Sequence, residues 1–91
     1  MIIGTVIGSV WATRKEEALN GLKLMIVKRL EAADGSGHES FVAADCVGAG
    51  IDERVLVVTG SSARRALKNR DIPMDAAIVG IIDEVEVRQQ G

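Results

Sequence analysis

The sequence predicts a small all-β domain, a closed barrel of five strands that carries one short helix. Its 91 residues are too few for a second hydrophobic core, so residues 1–91 are expected to form a single domain. Valine and isoleucine are frequent, while 10 glycines and the single Pro73 supply turns between short strands. Five strands in so small a domain favour closure, because a closed barrel has no exposed edge strands.

The first two predicted strands cover residues 2–13 and 22–30. Residues 2–13 carry no charge on either face, which is typical of a strand covered on both sides. The charged segment between the two strands ends in Asn20-Gly21, a turn signal. Residues 22–30 have period two, with one face apolar except for Lys28. A glycine-rich loop over residues 33–37 follows.

The other three predicted strands cover residues 39–47, 54–59 and 76–88. The pattern is weakest in the first of these and nearly continuous in valine and leucine in the second. Residues 76–88 are apolar as far as Ile82 and then alternate valine with charged residues. This alternation predicts one strand that becomes half exposed towards its end.

A single helix is predicted between the fourth and fifth strands. Ser61 or Ser62 is expected to cap its N-terminus, and Asn69 with Pro73 to end it. The helix presents an apolar stripe of Ala63, Ala66 and Leu67.

The composition excludes several classes of protein. The net charge of −2 lacks the basic excess of nucleic-acid-binding domains. The single Cys46 cannot form an intramolecular disulfide and is expected to be a small buried hydrophobe, as in a reducing cytosol. No apolar run reaches the roughly 20 residues of a membrane helix, so a cytoplasmic protein without membrane contact is expected. The hydrophobic fraction of 47% exceeds what so small a chain can bury alone, which favours self-association.

No residue pattern indicates catalysis, a cofactor or a metal. Gly48-Ala49-Gly50 lacks the third glycine and the following helix of a dinucleotide-binding loop, so a structural turn is predicted. Ser61-Ser62 could either cap the helix or bind a phosphate at its N-terminus. The Gly-Lys-Ser/Thr signature of a nucleotide-binding loop is missing, so simple helix capping is favoured. His38 has no set of further ligands, and Asp83 would face away from Glu84 and Glu86 on a strand.

Several short strings nevertheless occur in a specific order along the chain. They are Gly4-Thr5-Val6, Thr13-Arg14-Lys15, Gly21-Leu22-Lys23-Leu24, Ala44-Asp45, Val47-Gly48-Ala49-Gly50-Ile51-Asp52-Glu53, Gly60-Ser61-Ser62-Ala63-Arg64 and Val79-Gly80-Ile81-Ile82-Asp83. In this order and spacing, over residues 2–87, the chain closely resembles the EutN/CcmL family, the pentameric vertex proteins of carboxysomes and metabolic microcompartments.

The resemblance implies an oligonucleotide-binding-like (OB-like) barrel that forms a homopentamer. It also implies a structural, non-enzymatic protein that caps vertices of a bacterial microcompartment shell in the cytoplasm. Its partners would be its own copies and hexameric or pseudohexameric shell proteins. The residues that the resemblance assigns to the subunit interface are Gly48, Ala49, Gly50, Ser61, Ser62, Arg64 and Asp83.

Two further expectations concern Arg64 and the alternative function. Arg64 and Arg65 are predicted in the first helical turn, where the helix dipole disfavours cations. Arg64 would therefore suit a carboxylate of a neighbouring subunit, whereas Arg65 is left to solvent.

The alternative function is an OB-like module that binds single-stranded nucleic acid. That function needs stacking aromatics and a basic groove, and the chain has only Trp11 and Phe41 as aromatic residues.

Overall fold

The computed structural model describes residues 1–13, 17–30 and 39–83, and it confirms a closed five-stranded barrel with one short helix. The barrel order is β1-β2-β3-β5-β4. The β3–β5 pair is parallel, and the other four pairs are antiparallel. The strands are β1 (Ile2–Val10), β2 (Leu24–Arg29), β3 (Ser40–Asp45), β4 (Arg54–Thr59) and β5 (Ala76–Ile81), with a 3-10 turn at Glu17–Leu19 and helix α1 at Gly60–Ala66.

The strand directions give the barrel two different ends. β1, β3 and β5 finish at one end, where β2 and β4 begin. We call this end the Trp11 end. It includes residues 11–13 and 17–23, the β3–β4 loop 46–53, and residues 82–83. The opposite, helix end holds α1, which follows β4 directly and whose Gly60 amide donates to the Asp75 carbonyl just before β5.

The barrel interior is filled by small and β-branched side chains. Val6, Val27, Val55, Val57 and Ile78 have no exposed area, and Phe41 packs against this core from one side. The buried members of the core are Val6, Met25, Val27, Ala43, Ala49, Val55, Val57, Ala76 and Ile78. Small side chains suit an interior that a five-stranded barrel leaves narrow.

Four predicted strands are shorter in the structure, and one of them is β2, which covers Leu24–Arg29 instead of residues 22–30. β1 ends at Val10 rather than at residue 13, because its partner β2 begins at the paired Leu24. β1 is also not covered on both faces in the single chain, since Ile7 and Trp11 are exposed. β3 ends at Asp45, where the chain turns, and β5 ends at Ile81. The predicted loop 33–37, His38 and residues 84–88 of the predicted last strand lie outside the described residues.

The prediction that Ser61 or Ser62 caps the helix is wrong. α1 begins at Gly60 and its N-cap is Thr59, two or three residues before the predicted cap, without a side-chain hydrogen bond. Both serines are therefore exposed residues within the helix. The helix ends at Ala66 in a Schellman motif. The amides of Lys68 and Asn69 donate to the carbonyls of Arg65 and Arg64, with Lys68 at a φ of 58°.

Gly4 marks the closest approach of β1 to β2. A Cβ atom built there would overlap the Val27 Cγ1 methyl and lie 2.9 Å from the Lys28 carbonyl oxygen. At Gly8 in the same strand, the nearest atom to an added Cβ is Ile26 Cδ1 at 3.5 Å, an ordinary contact. A methyl group would therefore clash at Gly4 but fit at Gly8, so the two glycines can be compared directly.

We expect Gly4→Ala to lower the free energy of unfolding by about 1–3 kcal/mol, because the added methyl forces β1 and β2 apart. Urea denaturation measures this change as a lower midpoint. Gly8→Ala is the control and should stay within about 0.5 kcal/mol of the parent. Equal midpoints for the two variants would contradict the tight β1–β2 contact.

Candidate functional site

The β3–β4 loop is organised by the carboxylate of Asp45. Asp45 Oδ1 accepts hydrogen bonds from the amides of Val47 and Gly48 at 3.0 and 3.1 Å, and Oδ2 accepts one from the amide of Ala49 at 2.8 Å. The Asp45 side chain is only 1% exposed. A carboxylate that accepts three backbone N–H groups holds those groups in one concave turn.

Lys23 completes this turn from the β1–β2 connection. Its Nζ lies 3.6 Å from Asp45 Oδ2 and donates to the Ala49 carbonyl at 3.0 Å. The lysine side chain is 55% exposed, so its charge contributes little through the ion pair alone. Its structural effect is to tie the two connections of the Trp11 end together.

The predicted turn at Gly48-Ala49-Gly50 is confirmed. Gly48 has a φ of 78°, which glycine adopts without strain, and this conformation points the chain back to the barrel. Ala49 is completely buried and packs into the core cluster, so it closes the barrel interior at the Trp11 end. The turn is not available as a phosphate-binding loop, because its backbone amides already donate to the Asp45 carboxylate.

The second half of the loop is attached to β1. The Gly50 amide donates to Glu53 Oε1 at 2.6 Å, and the Glu53 amide donates back to the Gly50 carbonyl at 3.2 Å. The Asp52 amide donates to the Val6 carbonyl at 2.8 Å, and the Val6 amide donates to the Glu53 carbonyl at 3.0 Å. These bonds place the start of β4 beside β1 and leave Ile51 and Asp52 exposed at the surface.

Cys46 is exposed, so the prediction that it is a buried hydrophobe is wrong. The chain turns immediately after Asp45 and carries Cys46 to the outside of the loop. Partial desolvation, reinforced by the negative charge of Asp45, raises the pKa of the Cys46 thiol. The thiol is therefore protonated near neutral pH, the unreactive form of a cysteine.

The helix end has a basic surface. A groove of about 430 Å³ is lined by Ser61, Arg64, Arg65, Lys68, Asn69 and Arg70. Arg64 is half-buried, whereas Arg65 is exposed as predicted.

The prediction that both arginines oppose the helix dipole is wrong. α1 has only seven residues, so both lie in its last turn, where the dipole favours cations.

The structure divides the predicted interface residues between the two ends of the barrel. Gly48, Ala49, Gly50 and Asp83 belong to the Trp11 end, whereas Ser61, Ser62 and Arg64 belong to the helix end. The sequence reasoning missed Lys23 and Glu53, whose side chains hold the loop. An aspartate three residues before a glycine is a turn signal that marks Asp45, but no local signal marks a lysine 22 positions away.

Within residues 1–13, 17–30 and 39–83, no three His, Cys, Asp or Glu side chains form a group that could hold a metal ion. The helices in these same ranges include none long and apolar enough to span a membrane.

We expect Asp45→Asn to lower the free energy of unfolding by about 1–3 kcal/mol. The amide NH₂ cannot accept a hydrogen bond, so at least one backbone N–H of the turn loses its partner. Urea denaturation measures the change, with Lys23→Met as the matched control. That variant removes an exposed charge and should cost less than about 1 kcal/mol. A larger effect for Lys23→Met than for Asp45→Asn would show that the ion pair, not the amide bonds, holds the loop.

Residues 1–83 match the sequence profile of the family described as ethanolamine utilisation protein EutN/carboxysome. The carboxysome shell vertex protein CcmL of Synechococcus elongatus is 44% identical over 90 residues, which cover 99% of this chain and 91% of CcmL. The vertex protein EutN of Salmonella typhimurium is 38% identical, with 93% and 86% covered. The structure of the GrpN pentameric microcompartment shell protein from Rhodospirillum rubrum superposes with a TM-score of 0.80 at 43% identity, covering 96% of this chain and all of GrpN. The chain belongs to the EutN/CcmL family.

Proposed function

We propose that five copies of this chain assemble into a ring that caps a vertex of a bacterial microcompartment shell in the cytoplasm. The observation that carries the proposal is the match to pentameric shell proteins over nearly the whole chain. Residues 1–91 act as one vertex domain, whose role is structural and non-enzymatic. Hexameric or pseudohexameric shell proteins form the facets that this ring meets, since a closed shell of hexagonal tiles needs five-fold corners.

The arrangement of the barrel suits a ring. A closed ring uses a head-to-tail interface, in which one surface of a subunit meets a different surface of the next subunit. The assigned interface residues fall into two such sets, one at each end of the barrel. Gly48, Ala49, Gly50 and Asp83 form the first set, and Ser61, Ser62 and Arg64 form the second.

The basic groove at the helix end has candidate partners among the exposed carboxylates of the Trp11 end. Asp52 and Asp83 are exposed at the Trp11 end, whereas four cationic side chains line the groove at the helix end. Opposite charges on the two surfaces of a head-to-tail contact favour one register of assembly and disfavour others. Arg64, which is half-buried beside this groove, is the cation we assign to a carboxylate of the neighbouring subunit.

Two observations support a structural rather than an enzymatic role. The raised pKa of Cys46 keeps its thiol protonated, so the cysteine is a poor nucleophile. Asp45 Oδ1 and Oδ2 accept backbone hydrogen bonds within the turn, so this buried carboxylate is committed to the fold.

The nucleic-acid alternative receives less support. Phe41 packs against the barrel core, and Trp11 lies at the end opposite to the basic groove. A binder of single strands combines its stacking aromatics with its basic groove along one path. The match to vertex proteins likewise supports the shell role and not this alternative.

We expect Arg64→Ala to weaken assembly more than folding, because the carboxylate of the neighbouring subunit is then left without its cationic partner. The concentration at which the ring dissociates should rise by about tenfold or more, as measured by light scattering on a dilution series. Arg65→Ala, one residue away and exposed, is the control and should assemble like the parent.

Gly50→Glu tests the other side of the same contact, since it enlarges the turn beside Glu53. Circular dichroism checks that each variant retains its strands. Normal assembly of both Arg64→Ala and Gly50→Glu would overturn the interface assignment.

For the vertex role itself, the test is deletion of the gene in a host that assembles the shell. Facet assembly should continue, but the shells should be open, leaky or elongated in electron micrographs. Restoring the gene should restore closed polyhedra. Closed shells that retain their cargo without this chain, in a host with no second vertex protein, would refute the role.

A further inference from the structure

Trp11 is the most exposed large hydrophobic side chain of the described residues. It is 92% exposed, and it is the only tryptophan of the sequence. It borders a groove of about 450 Å³ at the Trp11 end, whose lining includes Val10, Leu22, Lys23 and Leu24. The groove therefore combines one aromatic and several aliphatic side chains with one cation.

An exposed tryptophan beside an apolar groove is typical of a contact surface. An aromatic side chain of this size can bury roughly 150–250 Å², and tryptophan is the residue type most enriched among energetically dominant interface residues. Contiguous apolar surface on a small protein indicates a binding site or a hazard for aggregation. Trp11 makes no contribution to the core of its own barrel that would explain its presence.

We propose that this groove is covered by the neighbouring copy of the chain in the ring, with Trp11 as the anchor of the contact. The proposal rests on the proposed function and specifies which surface seals the subunits to one another. Because the ring contact is head-to-tail, each subunit presents one indole to a different surface of the next subunit.

The groove is continuous with the predicted interface turn. Lys23 lines the groove, and its Nζ bonds the carbonyl of Ala49, the central residue of the turn. Val47, which belongs to the same turn, is a further exposed apolar side chain at 40%. The turn and the groove are thus joined through Lys23.

The apolar character of this surface favours a second copy over a facet tile as its occupant. Permanent contacts between identical subunits are more hydrophobic than contacts made by proteins that also exist free. The outer rim of the ring faces solvent until the shell assembles, so an indole that is 92% exposed would be a hazard there. Within the ring, the indole is covered from the moment the subunits associate.

The fluorescence of Trp11 tests this proposal directly, because the sequence holds no other tryptophan and no tyrosine. We expect the emission maximum to move to shorter wavelength as the ring forms, and acrylamide to quench the ring severalfold less than the dissociated chain. Light scattering on the same samples gives the mass at each concentration. A ring of the expected mass whose indole is quenched like that of the free chain would overturn the inference while leaving the pentamer intact.

Substitution provides the second arm. Trp11→Ala should raise the dissociation concentration of the ring by tenfold or more without changing the urea midpoint of the subunit, because Trp11 is exposed in the single chain. Ile7→Ala, at another exposed apolar residue of the same chain, is the control and should leave assembly unchanged. Shielding of the indole only after purified hexameric tiles are added would assign the groove to the facet contact and overturn the proposal. A chain that stays monomeric would refute the proposed function itself.

Discussion

The buried carboxylate of Asp45 is the constraint on which the Trp11 end of the molecule depends. Three consecutive backbone amides converge on it, and Gly48 supplies the conformation that lets them do so. The turn drives Ala49 into the open end of the barrel and so completes the core. The loop then reaches β1 through Asp52 and Glu53, which sets the register in which β4 closes the barrel. The Asp45 side chain thereby connects the conformation of the turn with the packing of the core and the closure of the barrel.

Closure of the barrel also determines where the functional surfaces lie. Because successive strands alternate in direction, the β1–β2 and β3–β4 connections share one end, and α1 lies at the other. The first end carries the turn, the Trp11 groove and exposed carboxylates, and the second carries the basic groove. A chain with two unlike ends is suited to a ring, in which every subunit uses both. A chain of this length buries only a small core, and the apolar surface that it leaves exposed is available for contacts between subunits.

The sequence predicted most of the fold but less of the site. The bounds of β4 were predicted correctly at both ends, since local turns enclose its run of valines. β1 was predicted too long, because a strand ends where its partner ends, and that depends on distant residues. The N-cap of α1 is Thr59, two or three residues before the predicted Ser61 or Ser62, so Arg64 and Arg65 lie in the last turn rather than the first. Lys23 was missed because its contact with Ala49 spans 26 positions. The assignment of residues to the subunit interface remains a prediction.

The central claim is that this barrel exists as one fifth of a ring, and the mass of the particle in solution tests it most directly. Light scattering coupled to size-exclusion chromatography measures that mass without reference to shape. Five chains of 9.6 kDa give about 48 kDa, and we predict a single species of this mass at micromolar subunit concentration. A species of 9.6 kDa that persists at every concentration would contradict the account, because the two ends of the barrel would then have no partner.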